Sequence, residues 1–480
     1  MRNAQKEGVF IKKSFLSYFF LFAGSVLAVY MMVRLGELWF PSAAGGHANA
    51  GANKPNDLFS TLSSLLIVII VTRLTGSVAR LLNQPRVIGE IIGGIMLGPS
   101  LLGALAPGFA HTLIPAHAMP YLSILSQMGV LLFMFLIGME LDLQSLKRSG
   151  RAAILISHAS IIFPFLLGMG FAFFAYRSMA PANVGFTGFA LFIGTAMSVT
   201  AFPVLARILT DTGMNRTPIG SLALTCAAVD DATAWCLLAL IIGILKSEVS
   251  TAFATIGWTA VYVVFMIAVV KPLLEKLVPW LEKSSEHLSE TALAFVLIAL
   301  LASAVTTEMI GIHALFGGFL LGVIIPHESH LAKDLTLRLS DLIRVLFLPA
   351  FFAFTGLRTQ VGLLNSGTDV LICIALIAIA TLGKFGGAFV AAKLSGLTTR
   401  ASAVLGVLMN TRGLVGLIVL NAGLDLGVLT PQLFTMLVIM AVVTTVMTGP
   451  FLRWLQPKQD QDGNAKILLF RERNLPSVEL

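Results

Sequence analysis

Apolar residues fill this chain in long blocks, and polar residues gather in the short gaps between them. A bilayer core about 30 Å thick takes roughly 20 apolar residues as a helix. By that measure the pattern predicts a first helix over 14–33. Thirteen more follow near 58–74, 86–105, 119–139, 152–176, 186–206, 218–244, 251–270, 289–307, 312–325, 343–357, 369–392, 401–423 and 431–452. The expected fold class is an all-α membrane protein with about fourteen transmembrane helices. Composition agrees: 57% of the 480 residues are hydrophobic and 12% are charged, whereas soluble domains carry about 25% charged residues.

The basic residues test the helix count. With the N-terminus in the cytoplasm and sides alternating, 25 of the 32 Lys and Arg residues fall in cytoplasmic segments. Only Arg34, Lys54, Arg177, Lys246 and Arg358 fall outside, and Lys384 and Arg412 lie within helices. That bias is the positive-inside rule, and it supports a topology with both termini cytoplasmic; the expected location is the cell (inner) membrane. The net charge of +8 is thereby explained as orientation, so no nucleic-acid partner is expected; membrane lipid is.

The first helix has a rival reading as a signal peptide. Its apolar run is long for one, and Ala48-Asn49-Ala50 lies well beyond it, so an uncleaved helix is expected. Three regions follow: 1–56 with a cytoplasmic stub, the extra helix and an external linker; 57–452 as the transmembrane domain; and 453–480 as a cytoplasmic tail too short for a nucleotide-binding domain. Cys226, Cys236 and Cys373 all sit in apolar runs and read as neither a disulfide framework nor a metal site. There is no HExxH and no glycine-rich nucleotide motif. No cofactor is expected.

Four ionisable residues are stranded mid-helix. Asp230 and Asp231 sit in AAVDDATAW (227–235), Lys384 is central in 369–392, and Arg412 is central in 401–423. Each would cost about 2.5–3.5 kcal/mol facing lipid, so each must face protein or a wet cavity. Two structural ion pairs would satisfy that demand, but they would not need adjacent acids. Neighbours on a helix point about 100° apart, so one acid can pair while the other faces a cavity. Glu90, Glu140, Asp142 and Arg207 lie near the cytoplasmic face and can snorkel. Glu308 and His313 flank the outer face, where His313 reads as a local hydrogen-bonding group.

Two helices look broken. Residues 194–203 read GTAMSVTAFP, with Thr195, Ser198 and Thr200 mid-span and Pro203 removing a backbone donor. Residues 406–413 read GVLMNTRG, with Asn410, Thr411 and Arg412 together. The two share Gly-x-x-Met-Ser/Asn, at Gly194, Met197, Ser198 and at Gly406, Met409, Asn410, and they run in opposite directions. Paired interrupted segments of opposite orientation mark inverted repeats that build a midplane site. Ordinary glycine-lubricated packing is the alternative.

With these motifs in view, the chain resembles the monovalent cation:proton antiporter-2 superfamily, closest to the plant-type cation/H⁺ exchangers. The matching stretches are PRVIGEIIGGIMLGPSLLG (85–103), MGVLLFMFLIGMELDL (128–143), SVTAFPVLARIL (198–209), AAVDDATAW, EMIGIHALFGGFLLGVIIP (308–326), LPAFFAFTGL (348–357) and MNTRGLVGLIVLNAG (409–423). The resemblance implies a thirteen-helix Na⁺/H⁺ exchanger-type core with inverted repeats and two interrupted crossing helices, to which 14–33 is extra. It implies that Asp231 binds cation or proton alternately, and that Asp230 pairs with Lys384. The segments around Thr195, Ser198 and Thr200 and around Asn410, Thr411 and Arg412 would cross beside them. It also implies a homodimer whose core moves against a scaffold. Plant-type members often carry Asn where Asp230 stands. The chain also lacks their long soluble tail and the domain of glutathione-gated relatives, which puts such gating in doubt.

The residues support exchange on physical grounds. A carboxylate in a dry cavity is costly when charged, and either a proton or a monovalent cation neutralises it. Competition for Asp231 would couple the two fluxes. If a cation also displaced Lys384 and its proton, two protons would exchange for one cation; a single working carboxylate gives 1:1. Hard oxygen ligands without a Cys or His cluster argue against transition metals and favour K⁺ or Na⁺, with Li⁺ a further candidate. Three rivals are a cation channel, an intramembrane aspartyl protease and a sodium-coupled organic-anion carrier. The channel has no use for a lysine against the acids. The protease needs two motifs that are missing, so the chain is not expected to be an enzyme. The carrier would have only Arg412 for its anion.

Overall fold

The computed structural model describes residues 57–140, 150–214, 217–246, 249–282, 289–326 and 329–455. The expected helix at 14–33, the linker after it, Asp142, the Cys236 side chain and the tail from 456 lie outside the described residues. Among the described residues every secondary-structure element is a helix. The principal ones are α1 (Asp57–Leu81), α2 (Arg86–Leu97), α3 (Met119–Glu140), α4 (Gly150–Met179), α5 (Phe186–Ser198), α6 (Phe202–Asp211), α7 (Pro218–Lys246), α8 (Val249–Phe265), α9 (Lys271–Glu282), α10 (Glu290–Ile310), α11 (Ala314–Ile324), α12 (His330–Leu342), α13 (Leu348–Leu357), α14 (Gly367–Leu394), α15 (Thr399–Met409), α16 (Leu414–Asp425) and α17 (Pro431–Leu455).

Seven spans among the described residues are long and apolar enough to cross a bilayer, and the bent pair α15–α16 makes an eighth. The chain is a multi-pass membrane protein. Several predicted runs differ from unbroken helices, for local reasons. Run 186–206 divides into α5 and α6 around extended Val199, where Pro203 cannot continue the ladder. Run 401–423 divides into α15 and α16, bent by 41°. Run 343–357 is the second part of a continuous path from His330, joined through a π-helical turn at Ile343–Phe347. A second π turn, Met266–Val270, joins α8 to α9. Such turns insert one residue into the ladder and shift the facing side chains.

The helices pack as two groups. One holds α4, α5, α7, α14, α15 and α17; the other holds α1, α2, α3, α10, α11 and α13. In the first group the same order occurs twice: a long helix, a broken one, then another long one. The two aligned glycines occupy matching places. A Cβ on Gly194 would lie 3.0 Å from the Phe165 ring and carbonyl, and one on Gly406 would lie 2.9 and 3.0 Å from those of Phe385.

In lipid there is little hydrophobic drive between helices, so close backbone approach over small residues does the work. In the second group, α3 and α11 cross where Gly138 meets the backbone of Phe319 and Gly322, and Gly322 meets that of Phe135 and Gly138. Gly94 and Gly356 do the same for α2 and α13. Backbone cannot yield as a side chain can. Gly322→Val is therefore expected to cost about 1–3 kcal/mol, seen as a lower thermal unfolding midpoint of the solubilised protein. An unchanged midpoint would mean that the crossing has room to spare.

Candidate functional site

The two aspartates of α7 lie against the break between α5 and α6. Asp230 is fully buried, and its carboxylate accepts from four side chains. Lys384 Nζ on α14 donates to Oδ2 at 2.7 Å, as does Thr200 Oγ1 at 2.6 Å. Ser157 Oγ on α4 donates to Oδ1 at 2.5 Å, and Ser160 Oγ reaches Oδ2 at 2.9 Å. Lys384 is fully buried too. A buried ion pair must recover the loss of water through good geometry and further hydrogen bonds, and the three hydroxyls supply them.

Asp231, one residue further on, is treated oppositely. It is 1% exposed, and neither carboxylate oxygen has a hydrogen-bond partner among the described residues. The Phe202 amide at the start of α6 faces it without completing a hydrogen bond. An α-helix N-terminus carries a partial positive charge, so the second half of the broken helix presents a weak positive field to this acid.

The breaks themselves are tied together. The Ala201 N–H donates to the Thr411 carbonyl at 3.1 Å. Thr200 Oγ1 also reaches the Met409 carbonyl at 3.3 Å. Arg412 is buried, and its guanidinium donates to the Ala196 carbonyl at 3.1 Å and to that of Met197. It thus caps the C-terminal end of α5, where carbonyls are otherwise left over. Thr445 on α17 holds the Arg412 backbone from both sides, at 3.1 Å and 2.6 Å. Ser198 and Thr195 donate back to their own helix, to the carbonyls of Thr195 and Leu191. Thr411 Oγ1 donates to the Leu408 carbonyl. Asn410 Oδ1 is buried with no partner among the described residues.

Residues 64–456 match the sequence model of the family described as sodium/hydrogen exchanger, transmembrane. This chain belongs to that family. The chain is 45% identical over 404 residues to the Na(+)/H(+) antiporter NhaS4 of Synechocystis, covering 84% of this chain and 98% of that one. It is 42% identical to Cation/H(+) antiporter 17 of Arabidopsis thaliana over 80% of this chain, and 32% identical to K(+)/H(+) antiporter 1 of Saccharomyces cerevisiae over 87%. The chain spans about half the length of those two, 47% and 48%. The structure of the sodium proton antiporter MjNhaP1 from Methanocaldococcus jannaschii superposes with a TM-score of 0.64 at 14% identity, over 83% of this chain and 98% of that one. The fold is therefore that all-helical antiporter fold, and the family is one of transporters rather than enzymes.

Within this exchanger-family chain, Asp230, Thr200 and Lys384 come into direct contact, and Asp231 stands beside them. Thr195 and Ser198 turn their donors elsewhere. Sequence reasoning missed Ser157 and Ser160, although the signal is present: SHAS places two hydroxyls one turn apart in an apolar span. It also missed Thr445. A cavity of about 420 Å³ opens between α6 and the start of α16 on one side and α1, α2, α3 and α13 on the other, at the end that carries Arg73, Arg86, Arg207 and Arg344. Phe202 and Leu414, the first residues of the second half-helices, also line it. Glu90 is buried and also lines it. At the opposite end a space of about 40 Å³ lies beside His313, Asn421 and Asp425.

Breaking the Asp230–Lys384 pair has a definite cost. Lys384→Ala strands a buried anion, with a loss of about 3 kcal/mol, at the lower end of the usual range because three hydroxyls remain. The double change Asp230→Asn with Lys384→Ala is expected to recover most of it. Thermal unfolding of the natural chain and the two variants in detergent checks this; equal losses for the single and double changes would contradict it.

Proposed function

We propose that this chain is a secondary active antiporter exchanging a monovalent cation, K⁺ or Na⁺, for protons by alternating access, with cation and proton competing for Asp231. The observation that carries the reading is the unequal treatment of two adjacent buried acids. Asp230 is filled by Lys384 and three hydroxyls, while Asp231 is bare and beside the break. A bare buried carboxylate needs a positive partner, and a proton and a cation both meet that need. The Synechocystis and yeast relatives, named as Na⁺/H⁺ and K⁺/H⁺ antiporters, support the substrate class.

Further ligands are hard oxygens: Asn410 Oδ1, the hydroxyl lone pairs of Ser198 and Thr200, and the carbonyls at the break. Thr195, Thr411 and Arg412 hold the crossing in shape. The unequal cavities, about 420 Å³ against about 40 Å³, support a state open toward the arginine-bearing side. On the positive-inside pattern that side is the cytoplasm. About fourteen helices, an inner-membrane location and a homodimer complete the reading; the first two rest on the sequence pattern and the last on the family resemblance.

The deciding experiment follows collapse of a respiration-generated ΔpH in everted vesicles from an antiporter-deficient host. Sodium, potassium or lithium should dissipate the gradient with the natural chain and not with Asp231→Asn. If no monovalent cation does so between about pH 6 and 9, a sodium-coupled organic-anion carrier becomes the better reading. If Lys384 gives up its proton on loading, two protons exchange for one cation and the cycle moves charge. Exchange in vesicles without ΔpH should then follow an imposed membrane potential; indifference to potential indicates 1:1 exchange.

A further inference from the structure

The serine pair on α4 is more than buried polar filler. Hydroxyls in apolar helices ordinarily donate to the carbonyl one turn back. Ser126 does so to Leu122, Thr225 to Ser221 and Thr444 to Met440. Ser157 does not: its hydroxyl goes to Asp230 Oδ1 at 2.5 Å. Ser160 divides its donor between the Ser157 carbonyl at 2.9 Å and Asp230 Oδ2 at 2.9 Å. Both residues are fully buried. Three residues apart, they share one helix face, the face that meets α7 and α14. Ser160 Oγ is also 3.5 Å from Lys384 Nζ, which places it against both members of the ion pair.

We propose that Ser157 and Ser160 are positioning residues that keep Asp230 held when Lys384 disengages, so that loading Asp231 with a cation does not strand a second buried anion. This rests on the exchange reading above. A carboxylate offers about four acceptor positions, and Asp230 has four donors. Lys384 is the only charged one, so it is the donor that an incoming cation repels. Once it withdraws, the remaining hydrogen bonds carry the whole anion in a low-dielectric site, where each is worth more than before. Hydroxyls suit the task because they stay protonated across the working pH range and carry no charge for the cation to repel. The serines therefore favour the loaded state over the empty one, and a group that favours one state shifts binding by that difference.

The test uses the purified full-length chain in detergent, titrated with sodium, potassium and lithium chloride while the unfolding midpoint is followed. A bound cation raises that midpoint by mass action. In Ser157→Ala with Ser160→Ala, the cation concentration giving half the rise should increase on the order of 10-fold or more. Ser160→Thr, which keeps the hydroxyl, should return it toward the natural value. Lys384→Met should lower the cation-free midpoint further in the serine-free background than in the natural one. Ser160→Ala alone serves if the double change does not fold. The proposal is overturned if the cation titration is unmoved while only the cation-free midpoint falls, or if the lysine and serine effects simply add. A natural chain that responds to none of the three cations overturns the exchange reading together with this one. A natural response that the serine variants share overturns this one alone.

Discussion

The structure of the centre depends on one constraint: a charge placed inside protein must find compensation there. Asp230 meets it in full, with an ammonium at 2.7 Å and hydroxyls from two further elements. Those contacts bring four segments to one point, namely α4, the break before α6, α7 and α14. The pairing is therefore also an architectural tie. α4 and α14 lie together along their length, and small residues let them do so. Gly383 packs on Pro164, and Gly387 packs on Ala159 and Phe163. Without that approach the Lys384 side chain would not reach across to α7.

The broken helices answer the same constraint in another way. Interrupting a helix inside a membrane exposes carbonyls and amides that lipid cannot satisfy. Several of these groups have protein partners here. Arg412 takes the carbonyls of Ala196 and Met197, Thr445 takes both sides of the Arg412 backbone, and the two breaks bond to each other between Ala201 and Thr411. Arg412 is thus a cation placed where a half-helix ends negative, and Asp231 is an acid placed near where the other half begins positive. The charges at the crossing and the helix ends compensate locally, which makes an irregular backbone tolerable at membrane depth.

Much of this was legible in the sequence because lipid is an unforgiving solvent. Apolar runs, the bias of basic residues and the stranded acids all follow from the cost of polarity in hydrocarbon. The breaks at 199–201 and 410–413 showed as Pro203 and as polar residues mid-span. Other features carried no such mark. Ser157 and Ser160 are small and cheap to bury, so nothing in hydropathy distinguishes a serine that bonds its own helix from one that reaches Asp230. The π turns at 266–270 and 343–347 leave no compositional trace either, because each needs only one extra residue in the ladder. The helix count suffers for a related reason. Interrupted runs such as 186–206 are long enough in sequence, but neither piece is long enough in structure.

The adjacency of the two acids then has a physical rationale. One aspartate alone could be either well compensated, and so poor at binding, or bare, and so costly to leave empty. Two neighbours on one helix divide these demands. Asp230 draws Lys384, Ser157, Ser160 and Thr200 onto itself and fixes α7 in rotation. Asp231, about 100° further round, is carried to a set position by that anchoring without sharing its donors. Its bareness costs free energy that a positive partner would offset. The larger cavity approaches through Phe202, the first residue of α6. The half-helix that lines this cavity is thus the one whose first amide faces the acid.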